Sequence, residues 1–145
     1  MADVTTSIII DAPLAAVAEY AADPDNAPEW YENIQSIEWE TAPPLQCGSR
    51  MKFLARFLGR TMRYVYEVVE YEPRQRMVMH TTTGMNMETT YEWRDAGDGK
   101  TEMKLRNRGG AGSGVVRVFD PITARAMRSA NTKDLAKLKK ILETR

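Results

Sequence analysis

Asp120–Arg145, DPITARAMRSANTKDLAKLKKILETR, is the stretch whose reading decides the fold. Phe119, Ile122, Ala126, Met127, Ala130, Leu135, Leu138, Ile141 and Leu142 recur at roughly helical spacing, which predicts one long amphipathic helix with an apolar stripe. Arg125, Arg128, Lys133, Lys137, Lys139 and Lys140 fall mostly off that stripe. The helix follows a run of strand-like segments and is not interleaved with them, so the expected class is α+β. A long helix closing an antiparallel sheet predicts a sheet that curls around it. Short side chains cannot fill all the space under such a curl. The expected result is a cavity, and function is expected there.

Upstream of the helix the chain alternates with period two. Met51, Phe53, Ala55 and Phe57 face away from Lys52, Leu54, Arg56 and Leu58, and Gly59 supplies a turn. Tyr64, Tyr66 and Val68 oppose Val65, Glu67 and Val69, and Glu72-Pro73-Arg74 turns the chain again. Met77, Met79 and Thr81 follow. After a break at Gly84, Met87, Thr89, Tyr91 and Trp93 oppose Glu88, Thr90 and Glu92. Asp95–Lys100, with Gly97 and Gly99, reads as a hairpin turn, and Thr101, Met103 and Leu105 then oppose Glu102, Lys104 and Arg106. One polar face throughout is the pattern of an antiparallel sheet wetted on one side.

At the other end, Val4–Ile10 predicts a strand with Val4, Thr6, Ile8 and Ile10 on one face. Asp11-Ala12-Pro13 predicts a helix start with Asp11 as cap, and Asp23-Pro24 its end. A second short helix is expected over residues 27–34, capped by Asp25 or Asn26 and presenting Trp30 and Ile34. Gln35–Trp39 begins the strands. The predicted order is β-α-α-β-β-β-β-β-β-α, without internal repeat or linker.

A chain of 145 residues, 43% apolar and 28% charged, has the size and balance of one soluble domain, here residues 1–145. No apolar run approaches the ~20 residues of a membrane span, so no stable membrane insertion is expected. Met1–Ser7 lacks the regions of a signal peptide. Cys47 is the single cysteine, which excludes an internal disulfide and fits a cytoplasmic location. Net charge is zero but uneven: residues 1–49 hold nine acids and no Lys or Arg, leaving eleven acids against all twenty bases downstream. An acidic N-terminal segment packed near basic strands and the basic helix accounts for this. Nucleic acid is not an expected partner, because acids interrupt the basic helix and no aromatic residues are interleaved with its bases.

These landmarks resemble the START/SRPBCC superfamily, the helix-grip fold shared with birch-pollen allergens, and come closest in pattern to polyketide cyclase/dehydrase-like proteins. The matching pieces are Ile10-Asp11-Ala12-Pro13, Asp23-Pro24 followed by Trp30, and Gly48 before a strand. They continue with YEVVEYEP at 66–73 before Arg76-Met77, Thr90-Tyr91-Glu92-Trp93, GDGKT at 97–101, and Leu138-Lys139 in the end helix. The resemblance covers nearly the whole chain. It implies a curved antiparallel sheet wrapped around the C-terminal helix, two short helices after the first strand, and an apolar pocket between sheet and helix. It implies no activity by itself, since such folds serve lipid carriers, receptors, cyclases and co-chaperones.

By resemblance, the pocket is lined by Trp39, Met51, Phe53, Phe57, Tyr64 and Tyr66, and by Met79, Thr81, Met87, Thr89, Tyr91, Met103 and Leu105. Phe119, Ile122 and Ala126, with Met127 and Ala130, roof it. Methionines adapt to irregular shapes, and with tyrosine hydroxyls they suit a small-molecule site. The expected partner is therefore a hydrophobic small molecule: a lipid, a polyketide or another aromatic or isoprenoid compound. The expected state is monomer or homodimer, with no cofactor and no metal. The alternatives are a polyketide cyclase/dehydrase-type enzyme and a co-chaperone-like interaction module. For catalysis the candidates are Glu70, which shares the phase of Tyr64 and Tyr66, then Tyr66, and His80, which faces the other way. Gly109–Gly114 reads as a connection or hinge, and Arg106 and Arg108 beside it as candidates for an anionic head group.

Overall fold

Period-two alternation becomes an antiparallel sheet whose strands follow one another around a curl. The structure is a computed structural model, and it describes residues 3–57, 59–83, 86–109 and 121–145. In chain order the elements are β1 (Asp3–Ile10), α1 (Leu14–Ala22), a 3-10 turn (Pro24–Asn26), α2 (Ala27–Trp30) and β2 (Ile34–Trp39). Then come β3 (Arg50–Phe57), β4 (Arg60–Glu72), β5 (Arg76–Thr83), β6 (Met87–Gly97), β7 (Lys100–Gly109) and α3 (Pro121–Glu143). The sheet has seven strands in the order β1-β7-β6-β5-β4-β3-β2. Strands β2 to β7 form an antiparallel meander, and β1 returns to pair with β7, Ile8 opposite Met103 and Ile10 opposite Thr101. This is the expected helix-grip α+β arrangement.

Inward side chains of the sheet and the stripe of α3 share one core. Met51 and Phe53 of β3, Tyr66 and Val68 of β4, Met77 of β5 and Met103 and Leu105 of β7 are buried. Leu135, Leu138 and Leu142 of α3 meet them, and Val17 and Trp30 close one end. Burying each such side chain contributes ~1.5–3 kcal/mol. Strand β1 is an edge, with backbone groups open on one side. The bases of α3 cover it: Arg128 Nη1 donates to the Thr5 carbonyl at 3.1 Å, and Lys139 Nζ to the Ile9 carbonyl at 2.9 Å. Such capping protects an edge from pairing with other chains. Among the described residues the acid–base pairs with the N-terminal segment are two: Arg106 holds Asp3 at 2.5 Å and Arg74 reaches Glu19 at 3.4 Å.

The local departures from expectation have local causes. The first helix starts one residue after Pro13, which stands at the cap position without a side-chain cap. The Asp11 N–H instead donates to Glu143 Oε2 at 2.7 Å, tying the turn to the end of α3. Asp23 caps the 3-10 turn by accepting from the Asp25 N–H at 3.0 Å. The second helix stops at Trp30, and Ile34 opens β2. In β4 the register slips between Val68 and Glu70, so Val69 is an extra residue opposite β5. The bulge reverses the phase beyond it: Val69 is 45% exposed and Tyr71, not Glu70, turns toward the core. No helix among the described residues is long and apolar enough to cross a membrane.

Candidate functional site

Between the concave face of the sheet and the middle of α3 lies a cavity of about 110 Å³. Phe53, Ala55 and Phe57 of β3 and Met62, Tyr64 and Tyr66 of β4 form one wall. Met79 of β5, Met87, Thr89 and Tyr91 of β6 and Asn107 of β7 form the next. Met127, Ala130, Asn131 and Asp134 of α3 form the roof, and Tyr31, Asn33 and Ile34 close the side toward β2. The aromatic rings brace one another. Phe53 stacks on Tyr64 with centroids 5.7 Å apart, and Tyr64 meets Tyr66 edge-on at 5.2 Å.

The polar groups on this wall form two short chains. Thr89 Oγ1 donates its single proton to Asn107 Oδ1 at 2.6 Å, so the 2.6 Å contact between Tyr66 and Thr89 has Tyr66 as donor. Tyr31 and Tyr91 share one hydrogen bond at 2.7 Å. A pair of hydroxyls carries two protons and this bond uses one of them. Burial pushes the hydroxyls of Tyr31, Tyr64, Tyr66 and Tyr91 above the usual tyrosine range, so they stay protonated and act as donors. Asp134 behaves differently. It is 2% exposed, and burial, aided by nearby Glu32, pushes its carboxyl up to about 6. Its Oδ1 accepts the Glu32 N–H at 3.0 Å, and this bond together with Lys137 holds the rise in check.

A greasy cavity with a few convergent hydroxyls and one perturbed carboxyl, gripped between a curled sheet and a terminal helix, is this chain's central feature. The family model described as polyketide cyclase / dehydrase and lipid transport matches residues 1–143. The chain belongs to this family. Solved structures agree on the fold. A START superfamily protein from Mycobacterium smegmatis superposes with a TM-score of 0.83 at 11% identity, covering 99% of each chain. The Zhui aromatase/cyclase from Streptomyces sp. R1128 gives 0.76 at 14% identity, covering 97% of this chain and 93% of that one. Ginseng major latex-like protein 151 from Panax ginseng gives 0.76 at 12%, covering 97% and 96%. The sequence matches none of the curated proteins.

In this member of the cyclase/dehydrase and lipid transport family the expected pocket residues divide into groups. Phe53, Phe57, Tyr64, Tyr66, Met79, Met87, Thr89 and Tyr91 do converge on the cavity, with Met127 and Ala130 above them. Met51, Met103 and Leu105 are fully buried in the core beside it and do not line it, because Trp30 and the leucines of α3 pack there. Trp39 lies toward the 3-10 turn, its ring N–H donating to Asp25 Oδ1 at 2.8 Å. Thr81 accepts the Met87 N–H at 2.9 Å and serves the β5–β6 connection. Ala126 is half-buried outside the lining, and Ile122 is 79% exposed at the first turn of α3. Phe119 lies outside the described residues, as do residues 110–114 of the glycine-rich connection and Gly84.

Of the three catalytic candidates, Tyr66 lines the cavity, whereas Glu70 and His80 fall on the wet face. The bulge at Val69 turns Glu70 outward, where it pairs with Arg76 at 3.2 Å. His80 Nε2 lies 3.2 Å from Glu88 on the outer surface. Arg106 is held by Asp3, and Arg108 stands 3.7 Å from Glu88, so each has an anion already at hand. Sequence reasoning passed over Tyr31, Asn33, Met62, Asn107, Asn131 and Asp134. A signal existed for three of them. Asn131 and Asp134 occupy stripe positions of α3 together with Met127, Ala130, Leu135 and Leu138. Asn107 continues the inward phase of Thr101, Met103 and Leu105. A polar residue where the period demands an apolar one marks a site.

Proposed function

We propose that this protein binds a small hydrophobic molecule in the cavity under α3. One observation carries the proposal: an interior otherwise packed with leucine, methionine and aromatic side chains keeps about 110 Å³ unfilled. A ligand group that fills this space replaces water against largely apolar walls, which is favourable. The volume also sets the scale of the buried group, since a dry cavity of roughly 150 Å³ takes up benzene. The buried part is therefore at most about one ring, or the tip of a longer lipid or polyketide. The description of the family, which joins cyclase/dehydrase proteins with lipid transport, supports this class of ligand.

The methionines supply a site-resolved test. With methyl-labelled methionine, titration with toluene is expected to shift the NMR signals of Met62, Met79, Met87 and Met127, which line the cavity. Met51, Met77 and Met103, buried elsewhere, should move much less. Silence at all positions, or equal shifts at all, would show that the cavity is not a binding site.

A second reading, catalysis of the cyclase/dehydrase kind, is favoured by Asp134, a cavity carboxyl that burial pushes up to about 6. Glu70 and His80 lie on the outer face of the sheet and do not line the cavity. Turnover of a linear polyketide by the parent that is lost in Asp134→Asn, with binding retained, would establish this second reading in place of simple carriage.

A further inference from the structure

The roof of the cavity carries two buried polar groups of opposite need, a donor on Asn131 and an acceptor on Asp134. Asn131 and Asp134 stand three residues apart on α3, hence on the same face of the helix. Asn131 is 5% exposed, and its Nδ2 has no hydrogen-bond partner among the described residues. Asp134 spends one oxygen on the Glu32 N–H. No Lys, Arg or His among the described residues lies within ion-pair distance of Asp134. A buried amide without an acceptor is costly, and a buried carboxylate gains from each further donor it meets. Neither group serves packing, since both take positions that the stripe of α3 would otherwise give to apolar side chains. Both line the same small cavity as the rings of Phe53, Tyr64 and Tyr66.

One chemical group answers both needs with a single atom. A hydroxyl oxygen accepts from Asn131 and gives its proton to Asp134. A carboxylate is repelled by Asp134. An ammonium has only donors and leaves Asn131 unmatched. We propose that Asn131 and Asp134 form a clamp for a hydroxyl group on an apolar ring, so that the ligand is a hydroxylated cyclic compound with its ring among Phe53, Tyr64 and Tyr66. This rests on the binding function proposed above and adds the chemical class of the ligand's head. The charged and titratable groups around Asp134 are Glu32, Lys137, Tyr31 and Tyr91. The two tyrosines stay protonated, so the ionisation of Asp134 itself decides the hydrogen-bonding sense of the clamp near neutral pH.

Toluene and phenol are nearly equal in size and separate the possibilities. A wholly apolar cavity prefers toluene, because the hydroxyl of phenol loses its water on entry. A clamp inverts that order. Calorimetric titration of the full chain at pH 7.5 is expected to show phenol binding about tenfold tighter than toluene, the scale of a hydrogen bond to a charged group. Benzoate and benzylammonium should bind more weakly than phenol. The phenol-to-toluene ratio should drop about tenfold in Asp134→Asn, which keeps an acceptor for the Glu32 N–H, and in Asn131→Leu. It should also drop in the parent protein at pH 5, where Asp134 is protonated, while phenol stays neutral throughout. This last measurement needs no variant to fold. Toluene binding as well as phenol, or benzoate binding better, overturns the clamp and leaves the binding function standing. If no ring compound binds and the methionine signals stay silent, the binding function fails and the clamp with it.

Discussion

A single carboxyl shows how far side-chain chemistry depends on its surroundings. Of the acids near the sheet, Glu70 shares a nominal phase with the pocket tyrosines, yet a one-residue bulge sends it to Arg76. Asp134 sits among lysines in the sequence, yet the helix turns it inward and burial pushes it up to about 6. The ordinary value for such a carboxyl is 3.8, so between pH 4 and 6 the native state holds more protons than the unfolded one. Stability from this group therefore falls as pH rises through that window, by about 3 kcal/mol. Asp3 and Glu143, held low by Arg106 and Lys139, act in the opposite sense at lower pH. The difference between parent and variant removes their contribution. Urea denaturation should show Asp134→Asn more stable than the parent at pH 7.5 by ~1–3 kcal/mol, with the gap closing toward pH 4.

At the scale of elements, turn chemistry and edge protection govern the sheet. The β6–β7 hairpin runs Gly97, Asp98 and Gly99 through positive φ, at 89°, 55° and 74°. No atom lies within 4 Å of a Cβ added at Gly99, so substitution there meets backbone strain and no clash. Gly99→Ala is expected to lower stability by ~1–2 kcal/mol, seen as a lower urea midpoint with an unchanged slope. The glycines and the alternation around them were legible because a hairpin is a local object. The bulge at Val69 was not, since the strand reads as YEVVEYE and nothing in that run says which residue lacks a partner. Register belongs to two strands at once. The short second helix was overread for a similar reason: Ile34 fits a helical spacing from Trp30 equally well as it fits the start of β2.

Across the whole molecule, a packed core and an unfilled cavity lie side by side under one helix. Leu138 is fully buried, and Leu138→Ala should cost ~2–5 kcal/mol by opening a new void. Met127 already faces empty space, so Met127→Ala should cost ~1 kcal/mol or less, because few contacts are lost. Thermal unfolding of the two variants checks the contrast. Equal losses would mean that the cavity is filled by the surrounding chain. Ligand binding should raise the melting temperature of the parent in proportion to the logarithm of ligand concentration.

By itself the sequence determined the class of the fold, the strand count, the long end helix and half of the cavity wall. These follow from periodicity and turn residues, which act over a few residues and are written in one segment at a time. Only the tertiary structure decided which buried positions line a void and which are core. Met51 and Phe53 alternate on the same face of one strand, yet the first packs solidly and the second borders the cavity. The tertiary structure likewise decided that Asn131 and Asp134 face inward across from Tyr31 and Tyr91, some hundred residues earlier or forty away in the chain. Burial, and hence the chemistry of a carboxyl, is set by what the rest of the chain places around it, and no single segment carries that information.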